Sequence, residues 1–98
     1  MSAMAQSFRI ADDIRYRVID DEAVLIRQTD GDVLVLNEVA ARVLQLAGEG
    51  LSSEQIEERV IDEYDAPEGA IRKDVHEFLG QLTELNVLEP IPLAGDES

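Results

Sequence analysis

The amino-acid sequence predicts an α+β domain, winged helix-turn-helix-like, in which a three-stranded antiparallel sheet is followed by three helices. Between residues 14 and 36, apolar side chains follow the two-residue period of half-buried strands, and short polar turns interrupt them. From Asn37 onward, the period changes to the three-to-four-residue spacing of amphipathic helices. A sheet segment and a helix segment that are separate along the chain define the α+β class.

The strand segment predicts an antiparallel meander. Strands are predicted over 14–19, 23–28 and 33–36. A tight polar turn follows the first strand at Asp20, and Asp30-Gly31 predicts a hairpin turn, because glycine accepts a positive φ without a steric cost. Short turns place consecutive strands side by side, so we expect the third strand to be an edge of the sheet.

Capping residues mark the starts of the first two helices. Asn37 is a preferred N-cap, and the glycines of Gly48-Glu49-Gly50 end the helix that begins there. Ser52 and Gln55 have the spacing of a capping box, which predicts a second helix from this point to about Tyr64.

The third helix has the most regular pattern. Its apolar residues recur every three or four positions and predict a core stripe of Ile71, Val75, Phe78, Leu82 and Leu85. Leu79 lies off this stripe, on the flank that it shares with Val75 and Arg72. Asn86 is expected to stop the helix.

One folded domain is expected, because 98 residues supply one modest core. The predicted boundaries are a flexible N-terminal arm over 1–13, a folded domain over 14–89 and a flexible acidic tail over 90–98. The chain lacks the basic start and apolar run of a signal peptide, and no apolar stretch approaches the roughly 20 residues that span a bilayer. We therefore expect a cytoplasmic protein.

The formal net charge of −14 argues against nucleic acid and membranes as partners, because phosphates and anionic lipid heads would be repelled. The likeness to a winged helix-turn-helix keeps a DNA-binding regulator as an alternative. The second helix is a poor recognition helix, however, because it offers one basic residue, Arg59, against four acidic ones: Glu57, Glu58, Asp62 and Glu63.

The sequence offers little for catalysis. It contains no cysteine, no glycine-rich phosphate loop and a single histidine, His76. The acidic residues of the second helix lack the alternating spacing of a calcium loop and predict a solvated face. We predict no catalytic residue, no metal ligand and no cofactor, with a small enzyme that uses His76 as the alternative.

The third strand is the most informative feature. Val33 to Leu36 is apolar on both faces and carries no charge or proline to guard an edge, so it is suited to accept a partner strand. Together with the helix flank that carries Leu79, it predicts a groove with an apolar floor. Arg72-Lys73, the only adjacent basic pair, would add a cationic lip for a carboxylate.

Three alternatives to this groove stay open. The third helix or the N-terminal arm covers the strand, or the strand pairs with a second copy in a homodimer. In the third alternative, the two basic residues serve only local ion pairs, Arg72 with Glu68 and Lys73 with Glu77, each four positions away.

Three segments carry a family resemblance in their order and spacing. They are an apolar strand that leads into Leu-Asn and a helix (30–44), a helix start after a glycine turn (51–56), and Asp-Val-x-x-Phe-Leu-x-x-Leu (74–82). On these segments the chain resembles the PqqD-like family over roughly residues 14–89. Members are recognition elements for ribosomally synthesised, post-translationally modified peptides.

The resemblance implies a non-catalytic peptide chaperone. It would hold the leader region of a precursor peptide as a fourth strand beside the third strand and against the last helix. It would present that peptide to a radical S-adenosylmethionine enzyme, another modifying enzyme or a leader protease. Carried onto this chain, the peptide-binding residues are Val33, Leu34, Val35, Arg72, Val75, His76 and Leu79.

Two departures separate the chain from the quinone-cofactor members. The turn before the third strand is Gln28-Thr29-Asp30-Gly31, and Ala47-Gly48-Glu49-Gly50 stands where those members have Cys-Asp-Gly. We therefore expect a peptide pathway other than pyrroloquinoline quinone synthesis.

Overall fold

The computed structural model describes residues 6–91 and confirms the predicted fold class. Its elements in chain order are β1 (Ser7–Ile10), β2 (Ile14–Ile19), β3 (Glu22–Arg27), β4 (Asp32–Leu36), α1 (Glu38–Gly48), α2 (Ser53–Glu63), α3 (Glu68–Glu84) and β5 (Leu88–Ile91). The three predicted strands are β2, β3 and β4, and the three predicted helices are α1, α2 and α3.

The sheet is the expected antiparallel meander, in the order β2-β3-β4. Its hairpin between β3 and β4 turns at Gly31, whose φ of +78° is the left-handed conformation that glycine adopts without a steric cost. The register pairs Leu25 with Leu34 and Ala23 with Leu36. Because side chains alternate along a strand, these four residues share the face that packs against the helices.

Side-chain caps begin the first two helices as predicted. The Asn37 side chain accepts a hydrogen bond of 3.0 Å from the Ala40 amide. At the start of α2, Ser52 and Gln55 exchange the two hydrogen bonds of a capping box, at 3.2 and 2.9 Å. These caps fix where α1 and α2 begin.

A second, two-stranded sheet departs from the sequence prediction. Ser7–Ile10 pairs antiparallel with Leu88–Ile91, so Ser7 lies opposite Ile91. The predicted flexible arm (1–13) and tail (90–98) are therefore wrong at their inner ends, where β1 and the end of β5 lie. The rest of those two predictions, over residues 1–5 and 92–98, falls outside the described residues.

The core is aliphatic and lies where the helices meet the inner face of the sheet. Its largest fully buried side chains are Leu25, Leu44, Leu46, Ile56, Leu88, Val43, Val60 and Val75. Phe8 of β1 is buried with them, so the two-stranded sheet belongs to the same core. Across residues 6–91, none of the helices combines the length and the hydropathy needed to cross a membrane.

Candidate functional site

The strand β4 is an exposed apolar edge. It has a single neighbour, β3, and in residues 6–91 no other strand pairs with its outer side. Val33 and Val35 are 62% and 56% exposed, whereas Leu34 is half-buried and Leu36 is buried. In an edge strand, alternate residues direct their N–H and C=O groups away from the sheet. The prediction of an edge is confirmed, and unpaired backbone groups stand beside apolar side chains.

A groove runs between β4 and α3, and we call it the β4–α3 groove. It consists of two adjoining cavities of about 290 and 210 Å³. The first is lined by Ile14, Leu25, Arg27, Asp32, Val33, Leu34, Leu85 and Val87. The second is lined by Leu34, Val35, Leu36, Asn37, Ala40, Phe78, Gln81, Leu82 and Leu85. The floor is therefore apolar, with a few polar groups at the ends.

Arg27 closes one end of the β4–α3 groove. Its guanidinium donates a 3.1 Å hydrogen bond to Asp13 and a second hydrogen bond to the carbonyl oxygen of Leu85, at the end of α3. Partial desolvation raises the pKa of Asp13, but hydrogen bonds from Thr29 and Arg27 and the charge of Arg27 lower it below its ordinary value. The carboxylate thus stays ionised and holds the guanidinium that ties the sheet to the helix.

The structure separates the predicted site residues into two groups. Val33, Leu34 and Val35 line the β4–α3 groove, as expected from the sequence. The four predicted residues of α3 line neither of its cavities. These are Arg72, Val75, His76 and Leu79.

Arg72 is engaged by carboxylates of the helices. It donates hydrogen bonds of 2.7 Å to Glu68 and 2.8 Å to Glu57, and these hydrogen bonds raise its pKa. Lys73 lies 3.6 Å from Glu77. The local ion pairs that were the alternative to a cationic lip are therefore present, and the predicted lip on the groove is wrong.

The other three helix residues lie in the core or on the far flank of α3. Val75 is fully buried, and Leu79 is 6% exposed, so the expectation that Leu79 lies off the core stripe is wrong. His76 is exposed and, with Leu79, lines a hollow beside Phe8 of β1 and Pro90 of β5. His76 and Leu79 thus border β1 and β5, not β4.

The groove is lined instead by Phe78, Gln81 and Leu82 of α3 and by its C-cap residue, Leu85. Leu85 is 49% exposed, although the sequence placed it in the core stripe. Phe78 and Leu85 are seven positions apart and so lie on one line of the helix, with Gln81 beside them. The seven-residue spacing is the sequence pattern from which these groove residues could have been found. Periodicity alone, however, does not show which flank of a core stripe faces the sheet edge.

No arrangement of metal ligands is found in the described part of the chain, residues 6–91: it contains no group of three or more His, Asp or Glu side chains able to hold an ion. The expectation of no metal, cofactor or catalytic residue remains a prediction.

A comparison with protein families decides the assignment. The profile described as "Coenzyme PQQ synthesis protein D (PqqD)" matches residues 22–88, which is more than half of the chain and includes β4 and α3. The chain belongs to the PqqD family. Among curated proteins, none matches the sequence.

Two solved structures resemble this PqqD-family chain. One is TbiB1 in complex with the TbiA(beta) leader peptide, with 31% sequence identity, a TM-score of 0.74 and coverage of 83% of this chain and 94% of that one. The other is lasso peptide synthetase B1 complexed with the leader peptide, with a TM-score of 0.75 and coverage of 86% and 99%. Its identity of 24% supports the fold alone.

Proposed function

We propose that this chain binds the leader region of a ribosomally made precursor peptide and holds it as an additional strand along β4. The peptide would pair with the free backbone groups of β4 and direct alternate side chains into the two cavities of the β4–α3 groove. Strand addition supplies affinity that depends little on sequence, while the cavities select apolar side chains at every second position.

One observation carries this proposal: an apolar edge strand stands beside an open groove. Edge strands are normally guarded by charge, proline or a covering element, because an exposed edge promotes aggregation. In β4 the exposed residues are valines, and the groove beside them has room for side chains. TbiB1, which shares 31% sequence identity with this chain, is in complex with a leader peptide.

The proposal extends to the chain's role and partner. The domain acts without catalysis of its own and presents the bound peptide to a separate modifying enzyme, a radical S-adenosylmethionine enzyme or a leader protease, in the cytoplasm. The departures at Gln28-Thr29-Asp30-Gly31 and at Gly48 favour a pathway other than pyrroloquinoline quinone synthesis.

A calorimetric titration tests the proposal. The probe is a synthetic leader segment of a short open reading frame that neighbours the gene of this chain, and a scrambled peptide of equal composition is its control. We expect binding at micromolar concentrations, which Leu34→Asp abolishes because a carboxylate would lie in both cavities without a partner.

Far-ultraviolet circular dichroism of Leu34→Asp shows whether the fold is intact. If this variant is folded and binds the leader as the wild type does, the edge is not the binding site. If the scrambled peptide binds equally, the domain has no leader specificity. Light scattering that reports a dimer, with no heat from any peptide, would assign the edge to a second copy.

A further inference from the structure

The outer face of the β2-β3-β4 sheet, which points away from the helices, is an exposed apolar surface. Cross-strand pairing builds it from two rows, Arg15–Ile26–Val33 and Arg17–Val24–Val35. Residues opposite each other on neighbouring strands point to the same face. Ile26 is 44% exposed, and Val33 and Val35 are more exposed still. A fourth exposed aliphatic residue, Ile19, extends this outer face along β2.

Both rows end in an arginine on β2. Arg9, Arg27, Arg42, Arg72 and Lys73 pair with carboxylates. Within residues 6–91, Arg15 and Arg17 form no ion pair, and among the remaining basic residues the same is true of Arg59 on α2. On a chain of net charge −14, the outer face thus combines apolar side chains with two available cations.

The outer face and the β4–α3 groove meet at β4. The side chains of Leu34 and Leu36 point to the helices. Those of Val33 and Val35 stand on the outer face, and each valine also borders one cavity of the groove. A strand added beside β4 would continue both rows, because its alternate side chains would stand next to the valines. Arg15 and Arg17 would lie three strands away from it, on the order of 14 Å at the usual strand spacing.

From this arrangement we infer that the outer face is the docking surface for the peptide-modifying enzyme, through a patch of that enzyme in which carboxylates surround apolar residues. The inference rests on the proposed function for the identity of the partner. Apolar contact provides the affinity, and the arginines provide orientation and a faster encounter with an acidic patch. A second copy is a poor occupant, because two chains of charge −14 repel each other and each would present arginines.

Binding of the purified modifying enzyme, encoded beside the gene of this chain, tests the inference by surface plasmon resonance with and without saturating leader peptide. The variants are Arg17→Glu and Ile26→Thr, the second of which keeps a β-branched residue in the strand. The matched control is Arg59→Glu, which changes the net charge equally and replaces another unpaired arginine on a different surface. Calorimetric titration of each variant with the leader measures the leader affinity of the β4–α3 groove separately.

We expect Arg17→Glu and Ile26→Thr each to weaken enzyme binding by about tenfold and to leave leader affinity unchanged, because both residues lie away from the groove. Arg59→Glu should leave both affinities unchanged. The inference is overturned if the enzyme does not bind the wild type, if the two arginine variants lose equal affinity, or if saturating leader displaces the enzyme.

It is also overturned if light scattering shows a dimer that Ile26→Thr dissociates, since a second copy then covers the face. The inference and the proposed function fail separately. Absence of leader binding alongside enzyme binding that Arg17→Glu abolishes would refute leader recognition and leave the docking surface in place. Leader binding without enzyme binding would refute the docking surface and leave leader recognition in place.

Discussion

Leu34 of β4 and Leu85 at the end of α3 face each other across the β4–α3 groove, and each lines both of its cavities. Because Leu85 is half exposed, a bound peptide would bury the remainder of its side chain. Leu85→Ser should therefore weaken leader binding by roughly fivefold to tenfold, the equivalent of about 1 kcal/mol of lost apolar burial. Calorimetric titration with the leader segment measures this.

His76→Ser is the matched control for Leu85→Ser. Both residues are exposed on α3, but His76 lies on the flank that faces β1 and β5. This variant should bind the leader like the wild type. The reverse ranking of the two variants would show that the peptide lies along the far flank of the helix.

If the leader binds by strand addition, the effect of backbone changes on its affinity should alternate from one peptide residue to the next. In a strand beside β4, every second peptide N–H points toward β4 and the others point away. N-methylation at one position of the leader should therefore weaken binding by about tenfold, because it removes a hydrogen bond and adds a methyl group between the strands. N-methylation at the adjacent position should have a much smaller effect. Equal losses along the whole series would contradict strand pairing.

The ion pair between Arg42 and Glu63 predicts a pH-dependent link between α1 and α2. The guanidinium donates two hydrogen bonds of 2.7 Å to the carboxylate, and these bonds together with the charge of Arg42 hold the pKa of Glu63 below its ordinary value. Glu63→Gln should lower the free energy of unfolding by roughly 1 kcal/mol at pH 7. Urea denaturation measures the change.

The pH dependence follows from the direction of that shift. A lowered pKa in the folded state gives stability that is present above the unfolded value, about 4.3 for glutamate, and that disappears as pH falls through the lower folded value. The difference between wild type and Glu63→Gln should shrink over that acidic range. Glu58→Gln, which removes an exposed carboxylate of the same helix, should have nearly the same free energy of unfolding as the wild type at pH 7 and over the acidic range.

The two-stranded sheet predicts that the N-terminal segment stabilises the domain. Phe8 of β1 is buried in the core, so Phe8→Ala should lower the free energy of unfolding by about 3 kcal/mol. Thermal and urea denaturation measure the loss. Arg9→Ala is the neighbouring control, because Arg9 is exposed and its pair with Glu89 lies at the surface. Equal effects of the two substitutions would mean that β1 is not part of the core.

Local patterns explain which parts of the fold were predictable. The meander, the Asp-Gly hairpin and the caps at Asn37 and Ser52 depend on residues close in sequence, and each is observed as predicted. The pairing of Ser7 with Ile91 joins residues at opposite ends of the described chain. Short strands with a distant partner leave no periodic signal. Pro90 also argues against a strand, because proline has no N–H to donate to a neighbouring strand.

Of the two walls of the candidate site, the sequence predicted the residues of β4 but not those of α3. The edge on β4 follows from strand order and from the lack of guarding residues, so Val33, Leu34 and Val35 were found. On α3, apolar residues form a wide stripe, and both of its flanks carry exposed residues. The choice between Leu85 and Leu79 depends on how the helix is rotated against the sheet, and that rotation is set by tertiary packing.

The antiparallel pairing of β1 with β5 brings the entry and exit of the described chain side by side, next to the flank of α3 that carries His76. Tethers attached at either end of the described chain would leave from the two-stranded sheet, which is separate from the sheet that contains β4. The domain should therefore tolerate insertion into a surface loop of an unrelated carrier protein through two short linkers. In that setting its peptide-binding edge would stay unobstructed.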